Sequence, residues 1–255
     1  MGLGVRLVCR PIRIVAMVEL DILYQDEHYV AVYKPAGMLV HRTMLASARI
    51  VVLQCLRDQL GRRVYPIHRL DRPTAGVLIF GLSSEAARAL VGCFEARTVR
   101  KEYLAVVRGY CEPEGRIDYA LSDPETGKDS QPAITDFKRL ATVELPIPVA
   151  RYQTARYSLM QAWPLTGRRH QLRKHFAHLR HPIIGDTTHG VGEQNRLFRD
   201  HFDWHRLLLL ARSLCFEHPY TGESIRVFAE PDAEMADLLA RLDWLETVAE
   251  PSLSP

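Results

Sequence analysis

The sequence predicts an α+β protein built on a mixed, mostly antiparallel sheet rather than a doubly wound one. Two observations carry the prediction: strand-like stretches outnumber helical ones, and the clearest strands sit beside turn signals of the hairpin kind. A third is negative, since the glycine fingerprint of a dinucleotide fold is missing. At 255 residues there is material for one large domain or two closely packed halves.

Taken in order, "DILYQDEHYVAVYKPAG" alternates apolar and polar residues on both sides of Gln25-Asp26-Glu27-His28. That pattern predicts a hairpin ending in a Lys34-Pro35-x-Gly37 turn. "AGVLIFGL" predicts a buried strand, after which Ser83 or Ser84 can cap a helix "EAARALVGCFEAR" with Ala86, Leu90, Cys93 and Phe94 at helical spacing. "EYLAVVRGY" and "ARYSLMQAW" read as strands. Between them, Gly115 to Ser130 is polar and rich in Gly, Pro and Asp, which predicts a surface excursion and not a domain boundary. "RRHQLRKHFAHLRH" predicts a helix over 169–181 with Leu172, Phe176 and Leu179 on one stripe, and "PDAEMADLLARLDWLETV" predicts a single amphipathic helix through Met235, Leu238, Leu242 and Leu245.

Composition limits the function classes. The net charge of +3 permits a nucleic-acid partner without proposing one. Five cysteines, odd in number and never in Cys-x-x-Cys, suggest neither a disulfide framework nor a zinc ribbon and fit a reducing cytoplasm. No stretch approaches the ~18 apolar residues of a membrane span, and the opening "MGLGVRLVCRPIRIVAMVE" has its apolar runs cut by Arg6, Arg10, Pro11 and Arg13, unlike a secretory segment. Residues 1–19 are therefore expected to be a loose extension, with Met17 as an alternative start, and 249–255 a polar tail. A phosphate loop, His-Glu-x-x-His, the Gly-x-Ser-x-Gly elbow and the zinc-deaminase pattern are all missing, so no cofactor or metal is expected.

One polar set remains. In "HRLDRPTAGVLIF", Asp71 stands between Arg69 and Arg72. Such a cluster can be a solvated ion pair, or a carboxylate kept ionised by guanidinium groups and so suited to nucleophilic attack rather than proton donation. From Arg168 to Arg180 there are five basic residues (Arg168, Arg169, Arg173, Lys174, Arg180) and no acid. Helical spacing would put Arg169, Arg173 and Arg180 along one side, either as a solvated face or as a phosphate-contacting one that lends an arginine to a buried carboxylate. His170, His175, His178 and His181 scatter round that helix without Cys or acidic partners, which argues against zinc. Tyr103 is a packed strand aromatic or a platform for an extruded base, and Lys34 is a turn residue or an RNA contact.

"KPAGMLVH", "HRLDRPTAGVLIF", "RKEYLAVVRG", "TGRRHQLRKHFAHLRHPIIGD" and "FEHPYTGE", in this order, resemble the successive motifs of the RluA family of pseudouridine synthases. The likeness runs from Leu20 to about Ala229, and several ordered motifs are more specific than any one. It implies a catalytic domain over 20–248 with a long, mostly antiparallel sheet in two halves flanked by helices, an RNA cleft between them, and no S4 domain. It further implies Asp71 as the catalytic aspartate, Tyr103 as the tyrosine that contacts the target uracil, and Arg173 as the partner of Asp71. By the same likeness Arg69 fills the space left by the flipped nucleotide; Lys34, from its turn, and Arg168, Arg169 and Lys174, from the basic stretch, are RNA-contact candidates. The reaction expected is uridine to pseudouridine without a cofactor, Asp71 acting as a nucleophile or as a base through a glycal. Finer likeness, as in "RLATVELPIPVARYQTARYSLM" and "HLRHPIIGDTTHG", favours tRNA, at the T-stem uridine conventionally numbered 65, over rRNA. No protein partner is implied, so a monomer is expected.

Overall fold

The computed structural model describes residues 18–41, 50–123 and 127–249; the opening segment with Met17 and the tail beyond Ala249 lie outside them. β1 (Ile22–Gln25) and β2 (Tyr29–Lys34) form the expected hairpin. Asp26 sets its turn by accepting the backbone N–H groups of His28 and Tyr29 at 2.7 and 2.6 Å. α1 (Val52–Leu60) ends on left-handed Gly61, and β3 (Tyr65–Pro66) leads towards β4 (Ala75–Gly81), all seven of whose residues are buried. α2 (Ser84–Glu95) is capped by Ser83, whose hydroxyl accepts the Ala86 N–H at 3.1 Å.

β5 (Arg100–Arg108), β9 (Ile134–Leu145) and β10 (Ala155–Pro164) are the long strands, and α3 (Gln171–His178) follows β10. The described parts of the segment from Gly115 to Ser130, residues 115–123 and 127–130, are more ordered than its composition suggests. They contribute to β6 (Glu114–Asp118), an edge strand on β9, and to a ribbon of β7 (Leu121–Asp123) and β8 (Lys128–Gln131). Polar residues suit strands with little to bury. α4 (Gly192–Phe202), β11 (Leu209–Glu217) and β12 (Ser224–Phe228) come next. The single C-terminal helix expected is two, α5 (Ala233–Arg241) and α6 (Leu245–Ala249). Asp243 turns left-handed (φ 58°) and the Trp244 N–H reaches back to the Leu239 carbonyl at 2.8 Å. That reversal buries the Trp244 side chain, which a continuous helix would carry outward.

Ten strands make one sheet in the order β1-β2-β4-β11-β5-β10-β9-β6, with β3 beside β4 and β12 beside β11. Among the described pairs only β4 with β11 is parallel, and it joins two antiparallel halves. The join is tight: Gly76 has φ +114°, and a Cβ there would sit 2.2 Å from the Ala211 carbonyl oxygen, so only glycine fits. Ala211 also pairs with Tyr103 across the β11–β5 ladder.

Both faces of each half are covered, which explains the near-continuous apolar runs. Along β5, Leu104 and Val106 pack against Leu238 and Leu239 of α5, while Ala105 and Val107 pack against Leu172 and Phe176 of α3. Along β4, Leu78 and Phe80 meet Val52 and Leu56 of α1, while Val77 and Ile79 meet Ala86 and Leu90 of α2. Phe176, fully buried, pins α3 to the sheet, and Phe176→Ala would cost about 3–5 kcal/mol. None of the described helices is long and apolar enough to cross a membrane.

Candidate active site

The site is built on the loop between β3 and β4. The Thr74 N–H closes a turn on the Asp71 carbonyl at 3.1 Å, and the loop is tied to the turn after β2 by Gly37 N–H to Arg72 carbonyl (2.8 Å) and Arg72 Nε to Gly37 carbonyl (2.9 Å). His68 fastens its other end, accepting the Ile79 N–H on Nε2 at 3.2 Å while stacked on Phe94. Burial pushes that imidazole down to about 3, which keeps it a neutral acceptor. Arg69 is exposed, Leu70 buried and Asp71 half-buried, so the backbone presents one arginine to solvent and turns the carboxyl inward.

Lys34 is not an RNA contact in this geometry. Its side chain is fully buried, and Nζ donates to the Pro35 and Arg72 carbonyls at 2.8 and 3.1 Å. Burial pushes its pKa down to about 7, against the opposing pull of Asp71. Lys34 is a brace under the loop.

α3 brings the second part. Gln171 seats its first turn on β9, giving Nε2 to the Ile134 carbonyl and Thr135 hydroxyl, and accepting the Thr166 hydroxyl and Arg168 N–H on Oε1. The helix begins only at Gln171, behind a left-handed His170 (φ 55°), so Arg168 and Arg169 lie in the preceding loop. Arg180 lies past its end with φ 65°. The arginine stripe expected along one side therefore does not exist: Arg173 is buried, Arg169 half-buried and Arg180 exposed.

Arg173 does face Asp71, with Nη1 at 3.4 Å from Oδ2, but its matched partner is Asp186. Nε and Nη2 grip the two oxygens of Asp186 at 2.7 and 2.8 Å, a bidentate fork. Oδ1 of Asp186 also accepts the N–H groups of Thr188 and His189, at 2.8 and 2.9 Å. Burial opposes both charges, yet the pairing wins: the Asp186 carboxyl is held below the usual carboxylate range and the Arg173 guanidinium above its usual value. The preceding Gly185 (φ +79°) lets this turn form, since a Cβ there would lie 1.9 Å from the Arg206 carbonyl oxygen.

Tyr103 enters from β5, half-buried, between the apolar clusters of the two halves. Burial and then the nearby Asp71 hold its hydroxyl well above the usual tyrosine range, so it stays protonated. His170 adds an imidazole whose Nε2 is 3.9 Å from Asp71 Oδ2 and whose Nδ1 shares a 3.0 Å hydrogen bond with His189 Nε2. Burial pushes His170 down to about 4, so it is neutral at pH 7. A cleft of about 520 Å³ opens beside it, lined by Arg169, His170, Lys174, His178, His189 and Tyr119 among others. Lys174 is tethered at 2.7 Å to the Ser122 carbonyl of β7, and Arg168 to the Pro132 carbonyl at 3.1 Å. The four histidines of the 168–181 stretch do not converge: His170 pairs with His189, His175 binds Thr135 and the Tyr119 carbonyl, His178 stacks on Tyr119, and His181 reaches the Arg108 carbonyl. Among the described residues no three His, Cys, Asp or Glu side chains gather as metal ligands would.

A carboxyl group, a locked guanidinium, a protonated tyrosine and a basic cleft thus meet where the halves of the sheet join. A family profile described as RNA pseudouridylate synthase matches residues 28–178. The chain belongs to that family. This pseudouridylate synthase is an isomerase of the RluA type, and it is 50% identical to "tRNA pseudouridine synthase C" of Vibrio parahaemolyticus over 92% of its own length and all of that protein. It is 51% identical to the protein of the same description in Vibrio vulnificus, over 90% of this chain and 98% of that one. Human RNA pseudouridylate synthase domain containing 1 superposes with a TM-score of 0.67 at 25% identity, covering 92% of the synthase and 97% of the human chain.

Asp186 and His189 are the members of the site that the residue pattern did not single out, and His170 stood out only as a zinc candidate. For Asp186 a signal was present, because it is the first acid after the acid-free basic stretch from Arg168 to Arg180. His170 and His189 are 19 residues apart, and nothing in the sequence ties them together.

Proposed function

We propose that this synthase converts uridine to pseudouridine in tRNA, at the T-stem uridine conventionally numbered 65. The observation that carries the reading is the Asp71–Arg173–Asp186 arrangement: Asp186 fixes two arms of Arg173 and leaves Nη1 facing the Asp71 carboxyl beside a basic cleft. Half-identity over nearly the whole chain to proteins described as tRNA pseudouridine synthase C supports tRNA over rRNA. The enzyme works as a monomer in the cytoplasm.

In the reaction the C1′–N1 bond of the nucleoside breaks, the uracil rotates, and a C1′–C5 bond forms; C5 loses its proton and N1 gains one. The exchange balances without an oxidant, reductant or nucleotide. Asp71 acts on the flipped uridine, with Arg173 opposing the charge that develops as the glycosidic bond opens. Tyr103 lies against the uracil. Arg69, exposed and with no hydrogen bond or ion pair among the described residues, fills the gap in the RNA, while Arg168, Arg169 and Lys174 contact the backbone. Mapping pseudouridine in RNA from cells with and without the gene tests this: the modification at that T-stem position should vanish with the gene, and its persistence there would refute the assignment.

A further inference from the structure

A second cleft opens at the opposite end of β5. It encloses about 430 Å³, within the range of roughly 300–1,000 Å³ common for ligand sites, and its lining includes Arg108, Tyr110, Val149, Tyr152, Arg156 and Gln194. Counting five residues from Tyr103 to Arg108 along β5 puts it about 17 Å from the active site.

Its chemistry is basic and aromatic. Tyr110 and Tyr152 are 42% and 46% exposed, and neither is needed by a core cluster. The Arg156 guanidinium lies 5.3 Å from the centre of the Tyr110 ring and Arg151 lies 5.2 Å from that of Tyr152, so each tyrosine carries a cation on its ring. Glu144 is the local acid, and it is taken: it accepts from Tyr110 (3.1 Å), Thr154 (2.6 Å) and Arg156 (3.2 Å). Arg108 has no hydrogen bond or ion pair from its guanidinium among the described residues. It is nevertheless close enough to join Arg151, the larger influence, in holding the Tyr152 hydroxyl below the usual tyrosine range. Glu144 thus matches Arg156, while Arg108, which also lines the cleft, has no carboxylate partner among the described residues.

The cleft is wired to the active site. His181, just past the helix that carries Arg173, meets the Arg108 carbonyl at 2.7 Å, and the Gly109 N–H meets the Arg156 carbonyl at 2.6 Å. α3 and its flanks therefore run from the Asp71 cleft to this one, with exposed Arg180 between them. Stacking surfaces beside an unmatched cation are what an unpaired nucleotide requires: a π-face for its base and a point charge for its phosphate.

We propose that this cleft is a second RNA subsite, which binds an unpaired nucleotide of the same tRNA, its phosphate at Arg108 and its base against Tyr152. The proposal rests on the tRNA reading above. It predicts that the enzyme distinguishes a whole tRNA from the isolated stem containing the target, because only the former reaches both clefts.

The test compares full-length tRNA with a short hairpin that contains only the target stem, using Tyr152→Ala and Arg108→Gln. Tyr152→Ala should weaken tRNA binding about tenfold, the loss expected from one stacked base, and leave hairpin binding within about twofold. Arg108→Gln should reduce the slope of log affinity against log salt by about one for tRNA and by nothing for the hairpin. Single-turnover rates at saturating RNA should match the wild type throughout. Melting temperatures check folding, and Tyr152→Ala alone carries the test if Arg108→Gln unfolds. Variants that bind tRNA as the wild type does, or that lose tRNA and hairpin equally, overturn the subsite alone. A wild-type enzyme that forms no pseudouridine in tRNA overturns the substrate reading and the subsite with it.

Discussion

Arg173 and Arg212 are buried to nearly the same depth, 4% and 1% exposed, but the carboxylates that meet them are arranged differently. Arg173 is gripped fork to fork by Asp186 and holds one arm out to Asp71. Arg212 stands 3.7 Å from Glu102, gives Nη2 to the Val248 carbonyl and lies over Phe228; Glu102 is shared with Arg226 at 3.6 Å. Burial pushes the Arg212 guanidinium below its usual value despite Glu102, whereas Asp186 lifts that of Arg173 above it. The lesson is that depth and charge count do not tell the two arginines apart; a saturated anchor with one group to spare does.

The sharpest way to break this comparison is to remove what the spare arm faces. Asp71→Asn should abolish product in single-turnover assays while tRNA affinity stays within about threefold, since the change preserves size and leaves the basic cleft intact. Appreciable turnover would mean that Arg173 is aimed at the wrong group.

Removing the anchor comes next. Asp186→Asn leaves Arg173 buried without its matched carboxylate, which should lower stability at pH 7 by about 3–5 kcal/mol and slow modification of paired and unpaired substrates alike. Because the Asp186 carboxyl is held below its ordinary range in the folded protein, its contribution is complete above about pH 4 and is lost as pH falls through the folded-state value. Melting curves of wild type and Asp186→Asn should therefore converge on acidification, and curves that stay parallel would deny the pairing its role.

Arg69, exposed and three residues after β3 ends, gives a smaller and more selective effect. Flipping a paired uridine costs a few kcal/mol, so Arg69→Ala should slow modification of structured tRNA by about tenfold more than that of a substrate whose target is already unpaired. Its melting temperature should not move. Equal slowing on both substrates would place Arg69 in the chemistry.

The smallest effect belongs to the other buried arginine. Replacing the pair, Arg212→Met with Glu102→Leu, removes both charges together and should change stability by no more than about 2 kcal/mol in either direction. The single-turnover rate should hold, and a collapse of activity would show that Arg212 is more than scaffold.

The parts of the molecule legible in the sequence are those whose cause is local. The β1–β2 hairpin is written in an alternation around Asp26, β4 in seven apolar residues, and the α2 cap in Ser83. Asp71, Tyr103 and Arg173 were reached through ordered motifs, and the structure brings all three together. What escaped depends on distant partners. Lys34 looks like a surface turn residue until Arg72, 38 positions away, caps its ammonium. β11 reads as little more than an apolar run until its three partner strands β4, β5 and β12 pair with it, and α1 and α4 carry no cap hydrogen bond from a side chain to mark their starts. The extent of α3 was overread because its flanks share its basic composition, while His170 and Arg180 take left-handed backbone that composition does not reveal.

Ala211 faces Gly76 on one side and Tyr103 on the other, which has a consequence for the order in which the molecule matures. The carboxyl-bearing loop and the tyrosine-bearing strand are not neighbours in the sheet; a strand encoded more than a hundred residues after either is inserted between them. A chain emerging from the ribosome can form the β1–β2 hairpin early, because its contacts are short in sequence, whereas the join must wait for the slow closure of a long loop. Asp71 and Tyr103 are thus held apart until nearly the whole protein has been made, and a shortened product that ends before β11 would carry both residues without the join that brings them together.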